Sequence, residues 1–161
     1  MTTLVNKSLY IRRAISSDKE RLIELINAAY RVEDFFKYDD RVNEEEVEGY
    51  LNQGLFFVGE DDAAVKACIH LEINANRAYF GLLSVDPSSQ GKGWGKRMME
   101  YVETEALKHG CAYMDIQIVN VRPELPVYYG KYGYVAGATS AFPKRSKIPC
   151  HFVQMSKKLS V

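Results

Sequence analysis

The segment Leu83-Ser84-Val85-Asp86-Pro87-Ser88-Ser89-Gln90-Gly91-Lys92-Gly93-Trp94-Gly95-Lys96-Arg97 constrains this chain more than any other. Arg77 to Val85 reads as a strand, and Pro87 to Gln90 as a loop. A helix follows from about Gly93 to His109, with Met98, Val102 and Ala106 at four-residue steps and Gly110 as its stop. The first turn of a helix leaves backbone N–H groups unpaired, and the helix dipole adds partial positive charge there. Glycines let an anion approach that backbone without a Cβ in the way. Lys92, Lys96 and Arg97 supply full charges beside it. A tight turn alone needs neither three alternating glycines nor three cations, so the pattern specifies a phosphate site.

Two common phosphate motifs do not fit. The Walker pattern requires Gly, four residues, then Gly-Lys-Ser/Thr. Here Gln90 stands where the first Gly belongs, and Arg97 follows Gly95-Lys96. The dinucleotide fingerprint G-x-G-x-x-G fails in both frames, at Lys96 and at Met98.

The rest of the chain reads as one domain, residues 1–161, without repeats or linkers. Leu9 to Arg13 is a short strand. Ser17-x-x-Glu20 and Asn43-x-x-Glu46 are capping-box patterns that predict two helices, the second stopped by Gly54. Leu55 to Gly59, Ala64 to Ile73 and Arg77 to Val85 predict an antiparallel meander with turns at 60–62 and 74–76. After the glycine-rich turn and its helix come a strand (Tyr113 to Val119), a short helix (Glu124 to Tyr132) and two strands near 134–138 and 149–157. The expected class is α/β (α+β): a mixed, mostly antiparallel seven-stranded sheet flanked by about four helices.

Gln90, Gly93 and Gly95 spell Gln-x-x-Gly-x-Gly, and Val85-Asp86-Pro87 precedes them at a strand end. Motif and element order together resemble the GCN5-related N-acetyltransferase (GNAT) superfamily over nearly the whole chain. The resemblance implies acetyl-CoA as cosubstrate and no metal. It implies cofactor contacts at Leu83, Ser84, Val85, Gln90, Gly91, Lys92, Gly93, Trp94, Gly95 and Lys96, and at Asn120, which ends the next strand. Backbone around Leu83 and Val85 would pair with the peptide-like pantetheine arm, and the Val85 N–H would stabilise an oxyanion. Tyr129, in Tyr129-Gly130-Lys131-Tyr132-Gly133-Tyr134, matches the family tyrosine that acts as general acid toward the leaving thiolate. Pro123 and Pro126 lengthen the gap between Asn120 and Tyr129 and restrict the phase of the helix between them.

The attacking amine must lose a proton. No carboxylate sits between Arg77 and Val85, which leaves Glu72 on the adjacent strand, or water, as the acceptor of that proton. His70 shares the strand face of Glu72 by period two. The family shapes its acceptor pocket partly with the loop between the first two helices. Here that loop reads Tyr30-Arg31-Val32-Glu33-Asp34-Phe35-Phe36-Lys37-Tyr38-Asp39-Asp40: aromatics next to acids that could hold an amine, or that cover the core and are solvated, with Tyr30, Phe35 and Phe36 the candidate acceptor contacts together with Glu72. The later loop from Phe142 to Pro149 is basic, so the two loops would suit a zwitterionic small molecule. The expected reaction is acetyl transfer to a primary amine of a small molecule or of a protein. A non-catalytic acyl-CoA sensor and a nucleotide-phosphate binder are the alternatives.

Composition supports the exclusions. Lys+Arg and Asp+Glu are equal at 21 each, against bulk-charge binding of nucleic acid. Cys68, Cys111 and Cys150 form neither a disulfide framework nor a zinc pattern, and a reducing cytoplasm is expected. Cys68 and Cys150 fall in strand-like runs and are expected as small core residues. No apolar run suggests a signal peptide or a membrane span. The family resemblance allows a homodimer.

Overall fold

The computed structural model describes residues 9–160. Seven strands form one sheet, in the order β1-β2-β3-β4-β5-β7-β6. They are β1 Tyr10–Arg13, β2 Phe56–Asp61, β3 Ala64–Asn74, β4 Arg77–Val85, β5 Tyr113–Val119, β6 Val135–Ala141 and β7 His151–Lys158. Four helices flank it: α1 Lys19–Ala29, α2 Glu44–Gln53, α3 Trp94–Lys108 and α4 Glu124–Gly130. Every strand pairing is antiparallel except β4 with β5. The expected mixed seven-stranded sheet with four helices is therefore the observed one.

Each face of the sheet has its own core. On one, α1 and α2 bring Leu22, Leu25, Ile26 and Val47 against Phe56, Val58, Cys68 and Leu82. On the other, α3 brings Trp94, Met98, Met99, Val102 and Ala106 against Phe57, Ile69, Phe80, Met114, Ile116 and Ile118. The four-residue steps of α3 and the period-two steps of β5 are the periodicities that let each element bury one side.

The second capping box forms as read: the Asn43 side-chain oxygen Oδ1 accepts from the Glu46 N–H at 2.8 Å, and the Glu46 carboxylate accepts from the Asn43 N–H at 3.1 Å. The first does not. A short 3-10 turn covers Ser16–Asp18, so α1 begins at Lys19, and Asp18 rather than Ser17 holds its start. The Asp18 carboxylate accepts from the Ile15 N–H at 2.8 Å and from Arg12 at 2.9 and 3.0 Å. A charged acceptor with three donors outcompetes a serine hydroxyl. The β2–β3 turn lies at Asp62-Ala63, later than read, with both residues at positive φ as a two-residue hairpin of matching twist requires. Cys68 is buried, but Cys150 precedes β7 and is only partly buried, which corrects its expected place in the core.

Two departures from regularity in β4 were not foreseen. Its register against β3 slips by one residue between Gly81 and Ser84, a bulge centred on Leu82, which takes φ 57°. A branched residue in the left-handed region costs roughly 1–3 kcal/mol. The bulge changes parity: Ala78 and Phe80 face the α3 core, Leu82 the α1 core, and Leu83 and Val85 the α3 side again. Second, β4 pairs with β5 only from Arg77 to Tyr79. Beyond Tyr79 the two parallel strands separate, and the β5-facing edge of β4 has no strand partner.

Candidate active site

The separation of β4 and β5 opens a cleft of about 690 Å³. Leu83 and Val85 line it from the unpaired edge of β4, and Gln90, Gly91, Gly93, Trp94, Gly95 and Lys96 from the turn into α3. Tyr129 enters from α4, and Tyr30 and Phe36 from the segment after α1. Residues more than a hundred positions apart thus share one cavity.

The glycine-rich end is built from backbone. Gly91 and Gly93 have φ 86° and 78°, and a Cβ added at either would meet no atom within 4 Å. Packing therefore does not demand these glycines. The conformation does, and the space it leaves is open. The first bond of α3 runs from the Arg97 N–H to the Gly93 carbonyl at 3.2 Å, so the amides before Arg97 have no intrahelical acceptor. Open space beside helix N-terminal donors fits a pyrophosphate. Gly95 has a different reason: its Cβ would lie 3.1 Å from the Tyr128 hydroxyl, so α3 and α4 meet closely there.

Of the three cations read beside this turn, Lys96 lines the cleft. Lys92 lies off it, with its ammonium 5.0 Å from the centre of the Trp94 ring. Arg97, about 100° further round the helix, donates to the Leu9 carbonyl at 3.3 Å. Asp86 fixes the start of the turn, a part the sequence reading missed. Its carboxylate accepts from the Ser88 N–H and hydroxyl at 2.9 and 2.6 Å and from Arg21 at 2.7 Å. The Ser88 hydroxyl and Arg21 together hold that carboxyl well below the usual range. The signal was present: Asp followed by Pro-Ser-Ser is a turn-forming string.

Four other predicted residues stand off the cleft. Ser84 is buried and donates to the Leu82 carbonyl at 3.0 Å across the bulge. The Asn120 side-chain oxygen accepts from the His151 N–H at 2.7 Å, bracing β5 to β7. Phe35 is half exposed and packs edge-on against Phe36. Glu72 is largely exposed, 3.9 Å from His70 Nδ1. The His70 ring lies between Tyr50 and Phe56, and burial pulls its pKa down to about 4. Among the described residues His70 Nε2 has no hydrogen-bond partner, and it is buried.

The other end of the cleft is built from side chains. Tyr129 packs against Phe80, Tyr128 and Tyr134. Burial, with smaller contributions from Tyr30 and Tyr128, pushes its phenol far up, so it stays protonated. Burial likewise raises Tyr30 to about 12. Phe36, Phe142 and Phe152 stack edge-on in a row, and Lys147 ties the later loop to the earlier one through the Phe36 and Asp34 carbonyls at 2.7 and 2.8 Å. Glu33, Arg41 and Arg122 also line this end; Arg41 and Arg122 carried no role in the sequence reading, and Glu33 entered it only as one of the acids of the first loop. Glu33 is buried and accepts from Arg122 at 3.0 Å, and Arg122 also donates to Glu124 at 3.0 Å. No local pattern marks a pair 89 residues apart. Among the described residues no cluster of His, Cys, Asp or Glu is arranged to hold a metal ion, and no helix is long and apolar enough to cross a membrane.

The family described as acetyltransferase (GNAT) domain matches residues 26–159. The chain belongs to that family. No curated protein matches it. Among solved structures it is similar to an N-acetyltransferase from Staphylococcus aureus Mu50 (15% identity, 95% of this chain and 99% of that one, TM-score 0.77). It is also similar to a Salmonella typhimurium protein described as an acetyltransferase and solved with its cofactor acetyl-CoA (18%, 96% and 95%, TM-score 0.73). A third is a ribosomal-protein-alanine N-acetyltransferase from Brucella melitensis (16%, 94% and 100%, TM-score 0.77). At these identities the likeness is one of fold.

Proposed function

We propose that this protein transfers the acetyl group of acetyl-CoA to a primary amine, of a small molecule or exposed on a protein, by direct attack of the amine. One observation carries the reading: the unpaired edge of β4 runs straight into an open glycine turn, and Tyr129 stands in the same cleft. Acetyl-CoA supplies an acyl group already activated as a thioester. Gly91, Gly93 and the first turn of α3, with Lys96, hold the pyrophosphate. The edge at Leu83 and Val85 pairs with the peptide-like arm, and the Val85 N–H polarises the acyl oxygen. The nitrogen–carbon bond forms as the carbon–sulfur bond breaks: the amine gives its surplus proton to water, and the Tyr129 phenol, kept protonated by burial, donates to the departing sulfur and regains a proton from water. Trp94 and Gln90 frame the turn, Ser84 steadies the bulge, and Asn120 keeps β5 turned away from β4. Tyr30 and Phe36 pack the acceptor.

Thermal unfolding with acetyl-CoA, and with NAD and ATP as controls, tests the cofactor. At a hundred times its dissociation constant the ligand adds about 2.7 kcal/mol, a rise of roughly 5–11 °C for a domain of this size. A rise with acetyl-CoA alone, followed by thiol release with amines, is the expected outcome. A rise with NAD or ATP instead would overturn the reading. A rise with acetyl-CoA but no thiol release with any amine would favour a sensor.

A further inference from the structure

Two charged groups at the side-chain end of the cleft carry more than the reaction requires. Arg41 is half-buried and holds its guanidinium 5.2 Å from the centre of the Tyr30 ring. After burial, its charge is the largest influence on the Tyr30, Tyr50 and Tyr79 phenols, so it stands among all three. Among the described residues no carboxylate pairs with it. The neighbouring Asp40 takes Arg31 at 2.7 Å, and Glu46 caps its own helix by accepting from the Asn43 N–H at 3.1 Å. A guanidinium lying on an aromatic face keeps its N–H edge free for a planar, bidentate anion.

Glu33 is the complementary group. Its Oε2 accepts from Arg122, while Oε1 has no hydrogen-bond partner among the described residues, and Glu33 lines the cleft. Tyr30–Glu33 is one 3-10 turn, in which the first and fourth side chains eclipse. The cation over Tyr30 and the carboxylate of Glu33 are therefore about one side chain apart on the same wall. The charge of Glu33 also reaches the Tyr129 phenol, so the carboxylate stands within range of the reacting end.

From this pairing we infer the acceptor class: a small primary amine that carries a carboxylate a few bonds away, with its ammonium on Glu33 and its carboxylate on Arg41. The inference rests on the acetyl-transfer reading and narrows its substrate. Glu33 and Arg41 are binding residues, so their effects fall on KM.

The test uses the full chain with acetyl-CoA and matched probes: free L-amino acids and the corresponding amino-acid amides, which keep the amine and lack the carboxylate. The free acids are expected to have kcat/KM at least about ten-fold above their amides, the scale of a charged hydrogen bond. Arg41→Gln is expected to raise KM for the acids about ten-fold more than for the amides, and Arg41→Lys to recover part of that. With CoA present, the acids are expected to raise the Tm more than the amides do, a readout that needs no turnover. Amides turned over as well as acids, or an Arg41→Gln effect equal on both, would overturn the inference while leaving the acetyl-transfer reading intact. No thermal shift with acetyl-CoA would overturn that reading, and this inference with it. Far-ultraviolet circular dichroism separates a misfolded Arg41→Gln from a selective one, and the acid-to-amide ratio of the parent decides the matter without any variant.

Discussion

The two ends of the cleft are made differently. The glycine-rich end is one continuous stretch, Val85 to Lys96, which offers the cleft main-chain amides and a helix terminus. The other end gathers side chains from four separated segments: Tyr30 and Glu33, Arg41, Arg122 and Tyr129, and Phe142. A backbone site depends on conformation, so a local string can encode it. A side-chain site depends on which segments the fold brings together. The first suits a cosubstrate common to many enzymes, and the second is where a particular acceptor would be selected.

Separate perturbations of the two ends test that division. The largest effect belongs to Tyr129→Phe, which removes only a hydroxyl. It is expected to lower kcat roughly 100- to 10,000-fold, while the thermal shift with acetyl-CoA persists. Steady-state kinetics beside melting curves decide it, and an unchanged kcat removes Tyr129 from the chemistry.

Acid should reach the two ends at different pH. His70 lies behind the side-chain end: it pairs across the sheet with Gly81, which lines the cleft, and its ring is 4.4 Å from Tyr50. Its folded pKa, about 4, lies below the unfolded value of 6.5, so the unfolded chain binds the extra proton between those values. Stability is thus full above pH 6.5 and declines as pH falls toward 4, by on the order of 3 kcal/mol. Asp86 at the other end is also depressed, but its contribution is present above the unfolded carboxyl value near 3.9 and declines only below it. Urea titrations from pH 7 to 4 should show the loss in the parent and a flatter profile in His70→Leu. Equal slopes in the two proteins would count against the assignment.

Gly93→Val tests the backbone end alone. It puts a branched side chain at φ 78°, in the open space beside the helix terminus. The strain costs roughly 1–3 kcal/mol of stability. More telling, the rise with acetyl-CoA, roughly 5–11 °C in the parent, should fall to nearly nothing. A variant that keeps the full rise would move the pyrophosphate elsewhere. The smallest effect is expected from Asp86→Ala, which removes the acceptor at the head of the turn. It should cost about 1 kcal/mol, read from urea denaturation, and soften the glycine turn without altering the side-chain end.

Much of this fold could be read from one sequence. The bounds of β4 and β5, the Asn43 cap and the Gly93 entry into α3 each rest on neighbours within a few residues. The errors share a cause. Ser17 lost its capping role to Asp18 because Arg12 and Ile15 converge there, and Arg97 left the expected anion site because the Leu9 carbonyl lies within its reach. Glu72 looked like a candidate for want of a carboxylate on β4, yet it stands off the cleft, and the buried acid that lines it is Glu33, held by contacts that no window of sequence contains.

The sequence by itself determined the order of elements, the glycine-rich turn and the family. These follow from hydrophobic period, caps and glycine, which act over a few residues of chain. Tertiary structure alone decided that β4 bulges at Leu82 and parts from β5 after Tyr79, and that Arg41, Glu33 and Arg122 line one cleft with Tyr129. Those contacts join residues up to about ninety positions apart, and the balance of burial, charge and strain that fixes them exists only once the sheet is assembled.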